Sequence, residues 1–144
     1  MSDPEDPHDL RRFVEAQDEV VDAVREELRD GRKRSHWMWF VFPQIEGLGS
    51  SPTSRKYAIS SRAEAEAYLD HPTLGPRLYE WTGLVNDVEG RTANDVFGSP
   101  DDLKFRSSMT LFEAVAEDPD PFERALERYY DGDRCERTLS LLDG

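Results

Sequence analysis

The 144-residue sequence contains a single cysteine, Cys135, and only three lysines. One cysteine excludes an internal disulfide framework and a metal site built from several thiolates. No run of about 18 apolar residues occurs, which excludes a membrane-spanning helix. The first residues are acidic and lack the apolar stretch of a signal peptide, so the sequence predicts a cytoplasmic protein.

Basic residues are few in comparison with acidic ones. The 18 Lys and Arg residues are outnumbered by 31 Asp and Glu, which gives a formal net charge of −13. This charge argues against a protein that coats DNA or RNA, because such proteins present a basic face. Concentrated salt screens repulsion between like charges, so a lysine-poor acidic surface also predicts a halophilic protein. An ordinary acidic protein from a GC-rich genome is the alternative.

Signals for β-strands are nearly absent, whereas signals for helix starts recur along the chain. Apolar residues repeat at three- and four-residue spacing from Leu10 to Leu28, which predicts one long helix between Pro7 and Gly31. Further helix starts combine a capping residue with a proline or with an acidic third residue. They lie at Ser61, Ser99, Asp120 and Asp133, and further helices are predicted from Pro72 and after Thr92.

The helices that these signals predict are short and are joined by short connections. No internal repeat is present, so the chain does not have the pattern of a solenoid. We therefore predict an all-α fold, a compact single-domain bundle of about seven or eight short helices over residues 1–144. Residues 1–8 are expected to form a loose acidic tail to this domain.

Residues 31–62 differ in charge from the rest of the chain. Six basic residues and one acid, Glu46, give this segment a net charge of +5, while the other residues together carry −18. Either these cations pair with acidic helices of the same molecule, or they attract an anionic ligand. The sequence leaves both interpretations open.

An uncharged aromatic stretch lies within this positive segment, between Ser35 and Gln44. We predict a short helix that Ser35 caps and Pro43 ends. Positions two apart on a helix point in nearly opposite directions, so one of Trp37 and Trp39 should face the core and the other a cleft. A buried strand is the alternative, because periodicity does not separate strand from helix in so short a run.

A loop of small and hydroxyl-bearing residues, 47–54, follows the aromatic stretch. The backbone amides of such a loop can surround an anion, and its serine hydroxyls can donate hydrogen bonds to it. The loop lacks the glycine and lysine spacing of a P-loop, so the pattern does not indicate a nucleoside triphosphate site.

The three lysines are Lys33, Lys56 and Lys104. Where arginine takes most basic positions, a retained lysine suggests a place for a compact point charge rather than a planar fork. Lys104 shares a predicted helix face with Ser107 and Ser108, residue types that are unfavourable in helix interiors. This polar stripe either faces a ligand or permits a close crossing with another helix.

Gln17 lies on the apolar face of the first predicted helix. A buried amide needs hydrogen-bond partners. Gln17 is therefore either a core residue that bonds to a neighbouring backbone group, which we favour, or a residue that contacts a ligand.

Several motifs are long enough to resemble one family. They are Gly31-x-Lys33-x-Ser35-His36-Trp37-Met38-Trp39-Phe40-x-Phe42-Pro43-Gln44, Gly47-Leu48-Gly49-x-Ser51, Lys56-Tyr57-Ala58-Ile59, Ala67-Tyr68-Leu69-x-His71-Pro72-x-Leu74-Gly75-x-Arg77-Leu78 and Lys104-x-x-Ser107-Ser108-Met109-Thr110-Leu111-Phe112. Together they resemble the prokaryotic family called domain of unknown function 1810, over about Leu10 to Leu142. The resemblance implies a compact helical domain and no particular reaction.

The first functional hypothesis is a pocket for a small anionic or nucleotide-like ligand, with or without catalysis. His36 and His71 are the acid–base candidates, because imidazole titrates near neutral pH. We expect His36, Lys56 and Lys104 to converge on one cavity, since an unpaired ammonium is costly to bury. The predicted ligand-binding residues are Gln17, Trp37, Gln44, Gly47, Gly49, Ser51, Lys56, Tyr57, Lys104, Ser107 and Ser108. No metal site is predicted, and no cofactor can be named.

The second hypothesis is a non-catalytic interaction module. In this case the aromatic, positive segment docks an acidic partner or a second copy of the chain, since interfaces are rich in Trp, Tyr, Met and Arg. A concave cleft lined by the predicted site residues favours a ligand, whereas a flat aromatic patch favours a partner. The sequence leaves the reaction, the ligand and the oligomeric state open.

Overall fold

The structure, a computed structural model, describes residues 6–143. These residues form ten α-helices and one isolated parallel β-bridge, between Ile45 and Ile59. The helices are α1 (Arg11–Asp18), α2 (Val21–Arg29), α3 (Met38–Val41), α4 (Pro52–Lys56), α5 (Arg62–Asp70), α6 (Leu74–Asn86), α7 (Ala93–Phe97), α8 (Asp101–Val115), α9 (Asp120–Tyr130) and α10 (Glu136–Asp143). The all-α prediction is confirmed, but the described part of the chain has ten helices rather than seven or eight.

The long first helix that the sequence predicts is two helices. Val20 leaves the helical conformation, with φ −125° and ψ 2°, and this break separates α1 from α2. The helix also begins later than predicted, because Asp6 accepts hydrogen bonds from the backbone N–H groups of Leu10 and Arg11 instead of capping a helix at Pro7. The prediction of one helix was wrong because both helices bury the same apolar stripe, which conceals the break.

Some of the predicted capping signals form side-chain caps in the structure, whereas α6, α8 and α9 have no side-chain hydrogen bond from their N-cap residue. Ser61 accepts from the backbone of Glu64 at the start of α5, and Thr92 forms a reciprocal capping box with Asp95 at the start of α7. Gly31 adopts φ +71° directly after α2, as expected of a helix-ending glycine. Each of these signals operates within a few residues, so the sequence alone is sufficient to locate it.

The aromatic stretch forms a short helix, α3, as predicted. Trp37 is fully buried and Trp39 is half-buried, which agrees with one indole in the core and one facing outward. Ser35 does not cap the helix, however, because its hydroxyl donates to Glu27 at 2.7 Å. The loop 47–54 holds an additional helix, α4, whose first backbone groups are capped by Ser51.

The core is one continuous cluster of apolar side chains, with α8 at its centre, packed against α5, α7, α9 and α10. Phe105 of α8 packs edge-on against Phe42 at 4.9 Å and stacks on Phe97 at 4.6 Å. This aromatic layer attaches the segment after α3 to the middle of the bundle. No helix within residues 6–143 has the length and apolar character needed to cross a membrane. Residues 1–5 of the predicted tail lie outside the described residues.

Candidate functional site

A small cavity of about 20 Å³ lies between Trp39 and Tyr57. A cavity of this size has room for about one water molecule. Four of the predicted ligand-binding residues line it, namely Gln44, Gly47, Gly49 and Tyr57, together with Trp39, Ile45, Glu46, Ser54, Arg55 and Ala58. The structure therefore brings the aromatic stretch and the glycine–serine loop together at one place, which we call the Trp39–Tyr57 cavity.

The backbone around the cavity is held by the bridge between Ile45 and Ile59. Glu46 N–H donates to the carbonyl of Ile59, and Ile59 N–H donates to the carbonyl of Gln44, both at 2.8 Å. These bonds close the loop that contains α4. Gly49 lies so close to α4 that a Cβ atom at this position would be 2.6 Å from the Cβ of Ser54. A glycine is therefore required for the loop to pack against α4.

Lys104 does not line the cavity but lies beside Trp39, with its ammonium 5.2 Å from the centre of the indole ring. Asp101 lies between two lysines: its carboxylate is 2.9 Å from Lys33 Nζ and 3.6 Å from Lys104 Nζ. Only the shorter distance is that of a hydrogen bond. The Lys33 side chain is also nearly buried, at 8% exposure, so Asp101 is committed to Lys33 while Lys104 keeps its donors for other partners.

Lys56 lies beside Tyr57, with its ammonium 5.3 Å from the centre of the ring, and lines a separate cavity of about 310 Å³. Within residues 6–143, no cavity found is lined by both Lys56 and Lys104. None of these four cavities brings His36, Lys56 and Lys104 together, so their convergence on one cavity stays a prediction. The cost of burial that motivated the prediction does not arise, because Lys56 is exposed and Lys104 is attracted by Asp101.

The charges of the positive segment are partly paired within the molecule. Lys33 pairs with Asp101, Arg34 with Asp30 at 2.7 Å and Arg62 with Asp143 at 3.9 Å. No ion pair with a described residue is formed by Arg32, Arg55 or Lys56. The pairing interpretation therefore applies to part of the segment, and the anionic ligand stays a prediction for the rest.

Glu27 is a buried carboxylate at the base of the aromatic stretch, and sequence reasoning missed its role. It accepts hydrogen bonds from the backbone N–H groups of Arg34 and Ser35, from the Ser35 hydroxyl and from the Trp37 indole. Burial raises the pKa of Glu27, but these hydrogen bonds together lower it by more, so the pKa lies below its ordinary value. The sequence feature that could have indicated this role is the position of an acidic residue on the apolar face of α2, one residue before Leu28.

The two candidate histidines do not lie at the Trp39–Tyr57 cavity. His71 Nδ1 accepts hydrogen bonds from the backbone N–H groups of Thr73 and Leu74, at 3.1 and 3.2 Å, and so caps the start of α6. His36 is exposed and has no hydrogen bond to another residue in the described part of the chain. His71 also lines a separate groove of about 620 Å³, together with His8 and Asp70.

Gln17 is a core residue, in agreement with the favoured interpretation. Its side-chain amide donates to the Phe40 carbonyl at 2.7 Å and to the Tyr68 hydroxyl at 2.9 Å, while Arg77 donates to its oxygen at 3.3 Å. All of its hydrogen-bonding capacity is directed into the fold. Trp37 is likewise a core residue, because it is fully buried and its indole N–H donates to Glu27.

The polar stripe of α8 supports a crossing with the last helix. The Ser107 hydroxyl donates to the Leu103 carbonyl at 3.1 Å and lies 3.4 Å from Cys135 Sγ, and Thr110 accepts from the Cys135 backbone N–H at 3.0 Å. These contacts attach the start of α10 to α8, which agrees with the small-residue interpretation. Ser108 is fully buried, and its hydroxyl has no partner among the described residues.

Comparisons with known proteins agree with the motifs. The family described as protein of unknown function (DUF1810) matches residues 7–142. The crystal structure of the conserved hypothetical protein Rv1873 from Mycobacterium tuberculosis is similar over 96% of this chain and 99% of that one, with 57% sequence identity and a TM-score of 0.95. No curated protein matches the chain. This chain therefore belongs to the DUF1810 family of proteins of unknown function.

Proposed function

We propose that this protein binds a small organic anion at the Trp39–Tyr57 cavity. The observation that carries the proposal is the Lys104 ammonium, which lies over the Trp39 ring but is too far from Asp101 for a hydrogen bond. Its N–H donors are thus available to a ligand, and Lys33 neutralises the nearest carboxylate. A positive charge beside a half-buried aromatic ring favours a ligand that combines an anionic group with an apolar or planar part.

The size of the cavity limits how such a ligand binds. About 20 Å³ admits a single polar group, so most of the ligand lies outside, against the rings of Trp39 and Tyr57. Arg55 adds a cation to the lining, whereas Glu46 adds a carboxylate. The anionic group is therefore placed on the side that Lys104 covers. The proposal is binding, without an assigned reaction, since neither His36 nor His71 lies at the cavity.

The test is a thermal-shift measurement with inorganic phosphate, acetate and adenosine monophosphate, each against potassium chloride at equal ionic strength. A ligand that binds only the folded state raises the unfolding midpoint, by an amount equivalent to about 2.7 kcal/mol when present at 100 times its Kd. We expect adenosine monophosphate to raise the midpoint more than phosphate alone, because it adds a ring. Lys104→Gln should abolish this rise.

Arg124→Gln is the matched control, because Arg124 is an exposed arginine of α9 that does not line the Trp39–Tyr57 cavity. It should retain the full ligand-induced rise. If Lys104→Gln and Arg124→Gln both lost the ligand-induced rise in the unfolding midpoint to the same extent, the anions would be acting by general screening. No rise with any of the three anions would equally contradict the proposal.

The interaction module is the competing proposal. Leu103, next to Lys104 on α8, is 52% exposed, and such a residue beside a cation favours docking of an acidic partner or a second copy. Single exposed leucines are common on monomeric proteins, so the observation has less weight than the Lys104 geometry. Light scattering after gel filtration separates the two, because self-association that Leu103→Ser abolishes would favour the module.

A further inference from the structure

A groove of about 600 Å³ lies on a different part of the surface, between α5, α6 and the connection from α8 to α9. Its apolar part is formed by Leu69, Val115 and the ring of Tyr79, which packs on Phe122 at 5.1 Å. Its polar part consists of four carboxylates, those of Glu66, Asp70, Glu117 and Asp118. We call this surface the acidic groove.

The negative charge of the acidic groove is not neutralised by the chain itself. None of the four carboxylates forms an ion pair within residues 6–143, and no basic side chain lines the groove. Two helices end beside it, α5 at Asp70 and α8 at Val115, and neither has a basic residue in its last turn. Helix C-termini carry partial negative charge, so they add to the negative potential.

The phenol of Tyr79 is affected by this potential. Burial raises its pKa, and the charges of Asp118 and Glu117 raise it further. The carboxylates nevertheless do not form a metal site, because no three His, Cys, Asp or Glu side chains of the described residues are placed to hold a metal ion. The negative charge is spread along the groove and matches several separate cations better than one compact ion.

We propose that the acidic groove docks a lysine-containing peptide segment of a partner protein. The alkyl stems of lysine side chains would lie along Leu69, Val115 and Tyr79, while their ammonium groups would meet the carboxylates. The combination of an apolar floor with acidic walls is complementary to an apolar, basic segment, and an inorganic cation would leave the floor uncovered. This inference goes beyond the proposed anion binding and does not depend on it.

The test uses fluorescence anisotropy of a labelled synthetic peptide in which lysine alternates with leucine, in about 0.1 M salt. The variant Glu117→Gln/Asp118→Asn removes two charges from the groove. The control Glu26→Gln/Glu89→Gln removes two charges from exposed positions that line none of the cavities found. We expect binding to weaken about tenfold in the groove variant and by less than about twofold in the control.

A second peptide, in which serine replaces leucine at equal charge, should bind more weakly than the first because it does not cover the apolar floor. Circular dichroism checks that both variants keep the helical spectrum. If the groove variant and the control lost peptide affinity to the same extent, the peptide would be attracted by the net charge of the protein alone, and the proposal would be overturned. Absence of binding, or equal binding of the two peptides, would overturn it as well.

Discussion

Glu27 shows how one buried carboxylate can organise the aromatic segment around α3. It is 4% exposed and holds the backbone before α3 as well as the indole of Trp37, and so determines where Trp39 lies. A hydrogen bond to a charged group contributes about 1.5–3 kcal/mol. Glu27 is therefore expected to be important for stability although it touches no ligand.

Glu27→Gln should lower the free energy of unfolding by about 2 kcal/mol at neutral pH, because an amide cannot accept all of these bonds. The folded-state pKa lies below the ordinary value of 4.5, so the carboxylate stabilises the fold above that pH. This stabilisation is lost as the pH falls through the folded-state pKa. Urea denaturation measures the free energy of unfolding of the wild type and of Glu27→Gln. The difference between the two values should be smaller at acidic pH than at neutral pH.

Glu26→Gln is the control for this measurement, since Glu26 is the exposed neighbour of Glu27 and undergoes the same chemical change. It should leave the free energy of unfolding within about 0.5 kcal/mol of the wild type. A loss as large as that of Glu27→Gln would show that the net charge of α2, and not the buried carboxylate, determines the result.

His71 is the second residue whose role follows from its contacts. Its Nδ1 caps α6, so His71→Ala should lower the free energy of unfolding by about 1 kcal/mol, the usual effect of removing a helix cap. His71→Asn keeps a capping acceptor and should recover most of this loss. Thermal unfolding of the two variants measures the difference, and equal losses would contradict the capping role.

At the scale of the helices, the crossing of α5 and α6 depends on one glycine. A Cβ atom at Gly75, in the first turn of α6, would be 2.2 Å from the carbonyl oxygen of Leu69 in α5. Because a backbone atom occupies this space, no side-chain rearrangement can relieve the contact. The two helices and the turn that His71 caps are therefore positioned by the absence of a side chain.

Gly75→Ala should destabilise the protein by about 3 kcal/mol, because the added methyl group forces the two backbones apart. Gly83→Ala in the same helix is the matched control, since a Cβ atom there has no neighbour within 4 Å. Alanine is a better helix former than glycine, so the control should stabilise the protein by about 0.5–1 kcal/mol. Chemical denaturation measures both, and changes of the same sign would contradict the packing argument.

At the scale of the whole molecule, charge is the dominant feature. The chain carries −13, and the negative charge is concentrated outside residues 31–62. Repulsion between surface carboxylates acts over the Debye length, which shortens from about 10 Å at 0.1 M salt to about 3 Å at 1 M. Salt also weakens the ion pairs, but exposed pairs contribute only about 0–1 kcal/mol each.

We therefore expect the unfolding midpoint to rise in molar potassium chloride compared with dilute buffer. Sodium chloride at the same concentration should give a similar rise, because screening does not depend on the identity of the cation. Differential scanning calorimetry measures the midpoint. A flat or falling midpoint would contradict the prediction that the protein is adapted to high salt.

Helix starts and net charge were determined by the sequence itself. The caps at Ser61 and Thr92 and the helix end at Gly31 are interactions within a few residues, so local residue types were sufficient to predict them. The sequence also marked the loop 47–54 as a candidate anion site, because its backbone amides and hydroxyls can donate hydrogen bonds, and part of this loop lines the Trp39–Tyr57 cavity. The all-α fold followed from the same local signals.

Only the tertiary structure decided what the marked side chains do. Lys33 and Lys104 are linked through Asp101, and Gln17 meets Phe40 and Tyr68, partners that lie far along the chain. The break between α1 and α2 was hidden because both helices bury one continuous stripe. Hydrogen bonds and ion pairs between distant segments depend on how the helices pack, and this packing is a property of the whole core, which no local pattern contains.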